Sequence, residues 1–263
     1  TQAGMSYSHV SKLRMVMQEL FRQARRSRLI IYDPAEGLLL PESVKRSHRP
    51  ITKAERRHIL AVAQPHPAGL WVLTILYTGL RPGETAALFW EDIDFDRNEI
   101  HVYKAVESGT RTIKAPKTPA GIRDIPMRQE LRERLLAVRG EGTAPVFPSA
   151  NGGIRSANSL RRLWNSFAHA LDLHMGAKVR DGQILQHAIA PDLTPYCLRH
   201  TFCTDLQRAG VPINVAKELM GHANISVTAN IYTHRDQKVL HNNMAKLNPK
   251  GRRTVGKTQE KTV

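Results

Sequence analysis

Four short stretches of the sequence place reactive side chains at the ends of predicted helices. Arg81 lies in TGLRPGE, Arg199 lies in TPYCLRHTF, His222 follows a glycine in LMGH, and Tyr232 comes ten residues after that histidine. Two guanidinium groups, each able to donate two parallel hydrogen bonds, suit the non-bridging oxygens of a phosphate. A histidine and a tyrosine nearby would complete a site for phosphoryl transfer.

Each of these residues also has an ordinary structural explanation. An arginine after a glycine turn is most often a surface charge or a helix cap, and a histidine after glycine often caps a helix because a cation suits the helix dipole there. A tyrosine late in a chain is more often a packing residue than a nucleophile. The order and context of the whole set favour chemistry over these separate explanations.

The turn that carries Arg81 follows a predicted core helix. Residues 67–77 are apolar almost all round, which is typical of a helix buried on every side, and Gly79 ends it. Pro82 and Glu84 then begin the next helix. The turn between the two helices is therefore expected to hold Arg81 at the edge of the core.

Two further predicted helices carry the other candidate residues. Pro195 occupies the first position of one helix, where its missing N–H is tolerated. Tyr196 and Arg199 lie on one face of that helix because they are three residues apart. The next helix, over residues 212–221, ends directly before His222.

Alternating polarity predicts strands on both sides of one loop. Residues 100–106 alternate, as does the stretch GIRDIPM, and the loop between them, residues 107–120, contains Lys117. Asp181-Gly182 predicts a two-residue hairpin turn. Helical periodicity dominates elsewhere, so the predicted fold class is α+β, mainly α, with a small antiparallel sheet.

The N-terminal stretch is predicted to form one basic amphipathic helix. Apolar residues recur at three- and four-residue steps between residues 8 and 30. The opposite face is basic and carries Lys12, Arg14, Arg22, Arg25, Arg26 and Arg28. The pattern leaves open whether this face is solvated or contacts DNA. One helix cannot form a core, so we expect the end of a small helical domain whose beginning precedes Thr1.

Proline and charge mark a boundary after that helix. Residues 41–50, PESVKRSHRP, have a proline at each end and charges between them, which is typical of a linker. Thr52 and Glu55 then have the spacing of a helix capping box. The expected organisation is a helical remnant over residues 1–40, a linker over 41–50, the main domain over 51–247 and a basic, disordered tail over 248–263.

The overall charge is strongly positive. The 263 residues include 39 Lys and Arg against 23 Asp and Glu, a formal net charge of +16, with 41% apolar residues. Counterion release from phosphates rewards such a surface, so nucleic acid is the predicted partner, with an anionic membrane surface or a ribosomal-type role as alternatives. No apolar run approaches the roughly 18 residues that span a bilayer, so we expect a cytoplasmic protein without a membrane partner.

The sequence offers little support for a metal site. Cys197 and Cys203 are six residues apart on one predicted helix, which favours reduced core residues over a disulfide. The 12 histidines are scattered without the spacing of a metal site. No metal and no other cofactor is predicted.

Taken in order, these motifs resemble the tyrosine recombinases of the phage integrase family. The resemblance spans residues 52–247: TGLRPGE resembles the first arginine box, LRHTF the second, and MGH followed by NIYTH the histidine and nucleophile boxes. APKTPAGIRDIPM resembles the hairpin of that family, with Lys117 in the place of its catalytic lysine. Residues 1–40, which contain the basic helix, resemble the end of the core-binding domain of the family.

The resemblance implies a role for each residue. Tyr232 would attack a DNA phosphodiester, forming a 3′-phosphotyrosine and releasing a 5′-hydroxyl, and Lys117 would protonate the leaving oxygen. Arg81 and Arg199 would hold the phosphate. His222 would form a hydrogen bond to the phosphate and help to position it. Glu84 would orient Arg81 or its neighbours.

Tyr196 departs from the family pattern, in which histidine is usual three residues before the second arginine. A phenol with a pKa of about 10 is a poor general base at neutral pH, although it can donate a hydrogen bond to phosphate. Either the base is dispensable or another group supplies it.

The resemblance also implies integration or excision of a phage or conjugative-transposon type element, without metal or ATP. Four copies would meet in synapsis on double-stranded core sites, with an accessory directionality or DNA-bending protein as a further partner. A type IB topoisomerase would use the same chemistry to relax supercoils, and a DNA-binding regulator could share the fold without the chemistry. A regulator would have no need for Lys117, His222 and Tyr232 together.

Neutralising Arg22, Arg25 and Arg26 tests whether the basic helix contacts DNA. If it does, the logarithm of affinity should fall with the logarithm of salt concentration with a slope of about −0.9 per phosphate contacted. Replacement of the three by glutamine should make the slope shallower and leave strand cleavage intact, as measured by fluorescence anisotropy and a cleavage assay. An unchanged slope would show that this face is merely solvated.

Overall fold

The computed structural model describes residues 6–40, 48–107, 111–116 and 118–232, and for residues 230–232 it describes the backbone alone. The chain divides into two units, Thr1–Ser47 and His48–Val263. Lys117, the predicted tail over residues 248–263 and most of the predicted linker lie outside the described residues.

The N-terminal unit contains one long helix, α1 (Tyr7–Arg26). The helix ends earlier than the predicted range of residues 8–30, because the N–H of Leu29 turns back to the carbonyl of Ala24 at 2.9 Å. Arg28 lies beyond the helix with a φ of 57°, so its inclusion in the basic helical face was wrong. No residue of α1 is buried, and its apolar stripe is partly exposed.

The larger unit opens with the predicted capping box. α2 spans Lys53–Ala63. The hydroxyl of Thr52 accepts a hydrogen bond from the N–H of Glu55 at 3.1 Å, and the Glu55 carboxylate accepts one from the N–H of Thr52 at 2.7 Å. α3 (Gly69–Thr78) follows, and nearly all its side chains are buried, as its all-round apolar pattern predicts.

The core of this unit is built by packing helices against α3. α7 (Pro195–Arg208) begins at the predicted proline and packs along α3, while α6 (Ala157–His174) packs on α2. Trp71 and Phe167 are among the largest fully buried side chains. Both cysteines lie buried in α7 as free thiols, as predicted.

A three-stranded antiparallel sheet flanks the helices. β2 (Glu99–Val102) lies between β1 (Ile93–Asp94) and β5 (Arg123–Pro126). Two short strands, β3 (Ala105–Val106) and β4 (Ile113–Lys114), pair with each other. β4 lies within residues 107–120 and the 3₁₀ turn Pro119–Gly121 overlaps their end, so the prediction of a loop over the whole of that stretch was wrong.

Short elements complete the larger unit. They are α4 (Pro82–Ala86), α5 (Gln129–Ala137), the hairpin β6 (Lys178–Arg180) and β7 (Gln183–Gln186), α8 (Ile213–Met220) and α9 (Ile225–Tyr232). Asp181 and Gly182 turn the hairpin with positive φ angles of 51° and 76°, which confirms that prediction. The fold is α+β and mainly helical, as predicted. Within the described residues, no helix has the length and apolar character to cross a bilayer.

Gly79 should be intolerant of a side chain. It ends α3 with a φ of 65°, and a Cβ there would meet the Phe202 ring at 2.4 Å. Gly79→Ala should lower the free energy of unfolding by about 1–2 kcal/mol for the left-handed backbone and by about 1–3 kcal/mol more for the overpacking. Chemical denaturation measures the sum.

Gly152→Ala is the matched control for this substitution. Gly152 also has a positive φ, of 77°, but no atom lies within 4 Å of its Cβ position. It should therefore show only the backbone penalty. Equal losses in the two variants would contradict the close contact at Gly79.

Candidate active site

The C-terminal end of α8 gathers three arginine side chains from three other elements. The backbone carbonyls of residues 219–221 accept in turn from Arg123 Nε at 2.9 Å, from Arg199 Nη2 at 2.5 Å and from Arg81 Nη2 at 2.8 Å. The last carbonyls of a helix lack intrahelical partners and lie at the negative end of the helix dipole. They are therefore natural acceptors for cations.

Glu84 joins two of these arginines from α4. Its Oε1 accepts from Arg81 Nη1 at 2.6 Å and from Arg123 Nη1 at 3.2 Å, and its Oε2 accepts from Arg123 Nη2 at 2.9 Å and from the Arg81 backbone N–H at 2.8 Å. Burial raises the pKa of this carboxyl, but the hydrogen bonds and charge of Arg123, with the charges of Arg81 and Arg199, hold it below its usual value. With Arg199, the cluster has three cations around one anion.

Arg199 lies at the bottom of the cluster. Besides the bond to α8, its Nη1 donates to the carbonyl of Gly79 at the end of α3. Burial, followed by the charge of Arg81, lowers its pKa to about 9, so the guanidinium remains charged at neutral pH. It ties together the ends of α3 and α8, two helices that are far apart in the sequence.

His222 follows α8 directly and lies against the same cations. Its Nδ1 is 2.9 Å from Oγ1 of Thr228, a buried residue of α9. Burial first, and then the charges of Arg199, Arg81 and Arg123, lower the His222 pKa to about 4. The imidazole is therefore neutral at neutral pH.

A cleft of about 1070 Å³ opens above the arginine cluster. Arg81 is the arginine of the cluster that borders it, and 36% of the Arg81 side chain is exposed. The other polar residues that border it are Glu84, Glu107, Lys114, Thr118, Arg161, Asn165, Thr194 and Tyr196. Lys114 and Thr118 flank Lys117, which itself lies outside the described residues.

Tyr196 is the least buried of the candidate residues described in the larger unit. Its side chain is 44% exposed and stacks on the ring of His48, with centroids 5.1 Å apart and ring planes 15° apart. Arg199, one helical turn later, is buried. The helix thus presents the phenol to the cleft and keeps the guanidinium beneath it.

The structure brings Arg81, Glu84, Arg199 and His222 into one cluster. Tyr232 is the last residue of α9, for which the backbone alone is described. The predicted DNA-binding residues, Lys12, Arg22, Arg25 and Arg26, all lie on α1 in the N-terminal unit.

Arg123 is the member of the cluster that the sequence analysis missed. It lies in GIRDIPM, which was interpreted as an alternating strand and as part of the hairpin segment, without a role for the arginine. In that strand Arg123, Ile125 and Met127 are buried while the residues between them are exposed. An arginine in register with buried apolar residues is a signal that would have identified a buried charge with a dedicated partner.

Within the described parts of the chain, no three or more His, Cys, Asp or Glu residues are placed to hold a metal ion. Burial raises the pKa of the Cys203 thiol to about 11, which keeps it protonated and unreactive.

Comparison with known proteins gives one family. Residues 49–238 match the profile of the phage integrase family. A tyrosine recombinase XerC-like protein of Caldanaerobacter subterraneus subsp. tengcongensis is 28% identical over 264 residues, covering 94% of this chain and 67% of that protein. The transposase of transposon Tn916 from Enterococcus faecalis is 30% identical over 166 residues, covering 62% of this chain and 41% of that protein.

Solved structures share the fold. The integrase of transposon Tn1549 in complex with circular intermediate DNA is similar with a TM-score of 0.74 and 25% identity, covering 94% of this chain and 82% of that one. A lambda integrase dimer bound to a core site is similar with a TM-score of 0.58 and 19% identity, covering 88% of this chain and 61% of that one.

The low pKa of His222 predicts a loss of stability in acid. As pH falls from about 6.5 to about 4, the unfolded chain takes up a proton at this histidine that the folded chain does not, so the folded state loses stability across that window. An NMR titration of DNA-free protein should place the His222 pKa close to 4. Denaturation curves across this pH range should be less pH-dependent for His222→Gln. Equally steep curves would contradict the assignment.

Proposed function

Because this chain belongs to the phage integrase family of tyrosine-type site-specific recombinases, we propose that it cleaves and rejoins double-stranded DNA at a specific core site to integrate or excise a mobile element. One observation carries the proposal: three guanidinium groups and a neutral histidine surround the end of α8 beneath a cleft. Such a cluster suits a phosphodiester and its transition state.

Tyr232 is the proposed nucleophile. Its phenolic oxygen forms a bond to phosphorus and releases its proton to solvent water, while the bond from phosphorus to the 5′-oxygen breaks. Lys117 protonates that oxygen, which leaves as a 5′-hydroxyl. The 3′-phosphotyrosine conserves the energy of the phosphodiester, so a 5′-hydroxyl of a second strand can reverse the step without ATP.

The charge of the cluster matches this reaction. Three arginines and Glu84 leave an excess of two positive charges, with His222 neutral. A phosphodiester carries one negative charge, and attack by a phenolate adds a second in the transition state. Arg81 borders the cleft and would contact a non-bridging oxygen, while Arg199 adds its charge from beneath.

His222 and Tyr196 would donate hydrogen bonds to the phosphate. If Nδ1 of His222 accepts from the Thr228 hydroxyl at 2.9 Å, then Nε2 carries the proton and donates it to an oxygen. The Tyr196 phenol borders the cleft, and its stack on His48 restrains the ring. The neutral histidine is suited to donate a hydrogen bond, and the same tautomer leaves it no free nitrogen to act as a base.

The guanidinium cluster takes the role that a metal ion has in many phosphoryl transfers, so we propose that cleavage needs no metal and no other cofactor. Arg161 adds a positive charge to the lining of the cleft, and Lys114 lies there paired with Glu107 at 2.8 Å. Residues 1–40, as the end of a core-binding domain, would add the basic face of α1, while residues 51–247 form the catalytic domain. Four copies in synapsis, with an accessory DNA-bending protein, would act on DNA in the cytoplasm.

A nicked core-site duplex that loses a short 5′-hydroxyl fragment after cleavage tests this proposal. The fragment diffuses away and religation is blocked, so the protein should remain covalently attached, in excess chelator as well as without it. Denaturing gels detect the adduct and peptide mapping should place it on Tyr232. Tyr232→Phe should bind the same DNA with unchanged affinity and form no adduct.

Tyr32→Phe is the control, because Tyr32 is an exposed tyrosine of the N-terminal unit. It should form the adduct as the wild type does. Mapping to another residue, or an adduct that requires added magnesium, would contradict the assigned roles. Complete absence of an adduct with cognate DNA would contradict the function itself.

A further inference from the structure

Arg123 occupies a central place in the cluster without reaching the cleft. Only 2% of its side chain is exposed. Its guanidinium donates to both oxygens of Glu84, to the carbonyl of Leu219 and to the carbonyl of Gly121 at 3.2 Å. One side chain on β5 therefore bonds to α4, to the last turn of α8 and to the 3₁₀ turn that precedes β5.

Gly221 leaves room for this guanidinium because it has no Cβ. Gly221 has a φ of 63°, and a Cβ there would lie 2.7 Å from Arg123 Nη1 and 3.1 Å from the Ala120 carbonyl. The left-handed glycine thus serves two purposes, since it ends α8 and lets the arginine lie flat against the turn. His222 is the next residue, so the position of its backbone depends on this contact.

We propose that Arg123 is a positioning residue for strand cleavage, which holds Glu84 and the turn at residues 219–222 so that Arg81 can present its guanidinium to the DNA phosphate. The proposal rests on the function proposed above. Arg81 and Arg123 bind the same carboxylate. If Arg123 is absent, the buried Glu84 has Arg81 as its remaining ionic partner within the cluster and draws it away from the cleft.

The third cation has an electrostatic cost, because Arg123 lies near Arg81 and Arg199 and like charges repel each other. An apolar residue on β5 would avoid that repulsion but would leave Glu84 and the carbonyls of Leu219 and Gly121 without these bonds. The arginine also adds to the positive field that faces His222, together with Arg81, which caps α4, and Arg199 of α7, while Glu84 opposes it.

Arg123→Lys is the first test, because it keeps the charge and loses the fork of donors. At saturating nicked DNA, the single-turnover rate of adduct formation should fall about 100-fold, the scale of a small misplacement of catalytic groups. The DNA dissociation constant should stay close to that of the wild type, and the variant should remain folded at the assay temperature although its thermal midpoint falls. A rate equal to that of the wild type would overturn the proposal, as would a loss of rate explained wholly by unfolding.

Arg132→Lys is the matched control. The Arg132 guanidinium also bonds a backbone carbonyl, that of Phe95, at 3.2 and 3.3 Å, but it lies on α5 away from the cleft. Its rate of adduct formation should equal that of the wild type. An equal fall in both variants would assign the effect to the general loss of a guanidinium bonded to a backbone carbonyl and overturn the specific role of Arg123.

A double-variant cycle tests whether Arg123 acts through Glu84. If it does, adding Arg123→Lys to Glu84→Gln should slow adduct formation by less than about twofold beyond Glu84→Gln alone, because coupled residues are not additive. Fully multiplicative losses would show that Arg123 acts independently of Glu84. That result would overturn the proposed route.

An NMR titration of DNA-free protein gives a readout that does not depend on catalysis. Arg123→Met removes one of the charges that lower the His222 pKa, so that pKa should rise, whereas Arg123→Lys should leave it low. An unchanged His222 pKa in the methionine variant would overturn the proposal even if wild-type protein formed no adduct. Failure of the wild type to form an adduct would count against the proposed function alone.

Discussion

The larger unit is organised around the unpaired carbonyls at the end of α8. Three successive backbone oxygens there receive three guanidinium groups, and each arginine comes from a different element. The interaction satisfies acceptors that would otherwise be buried without partners, and it gives the arginines acceptors that carry no full negative charge. The positive field toward the cleft is therefore only partly neutralised, by Glu84.

This arrangement explains why residues so distant in sequence lie together. Arg81 follows the end of α3, Arg199 lies within α7, and both bond to α8. The packing of α3 on α7 sets the distance between Arg81 and Arg199. The buried apolar side chains of α3 therefore position these two guanidinium groups, as their hydrogen bonds do. Substitutions in that face would displace guanidinium groups without touching them.

Local signals made much of this fold predictable. Helix ends marked by proline, glycine and a capping box were found correctly because those residues determine backbone geometry by themselves. The two-residue strand β4 was missed because its identity depends on pairing with β3. Arg123 was missed for a related reason, since the burial of a charged side chain is decided by Glu84, which lies 39 residues earlier in the sequence.

The candidate site was predictable to the extent that its residues occupy caps and turns. Arg81, Glu84 and His222 flank helix ends, where the sequence pattern places them directly. The burial of Arg199 could not be predicted from the spacing of residues in the sequence, because the exposure of a helical side chain depends on what packs over that helix. The neutral state of His222 could not be predicted from the sequence either, because it results from burial together with the three neighbouring cations.

Among the side chains of α9 that the structure describes, few are buried against the rest of the larger unit. Thr228 is the fully buried one of these and also contacts His222, while Ile225 and Val227 are largely exposed. The described side chains, residues 225–229, bury little apolar surface, so this part of α9 is expected to detach at a smaller free energy than the core helices. Each 1.4 kcal/mol changes the ratio of detached to docked helices about tenfold. An interaction worth a few kcal/mol can therefore shift the equilibrium from one of these states to the other. A change in the docking of residues 225–229 would therefore alter the contact of Thr228 with His222, while the arginine cluster stays as it is.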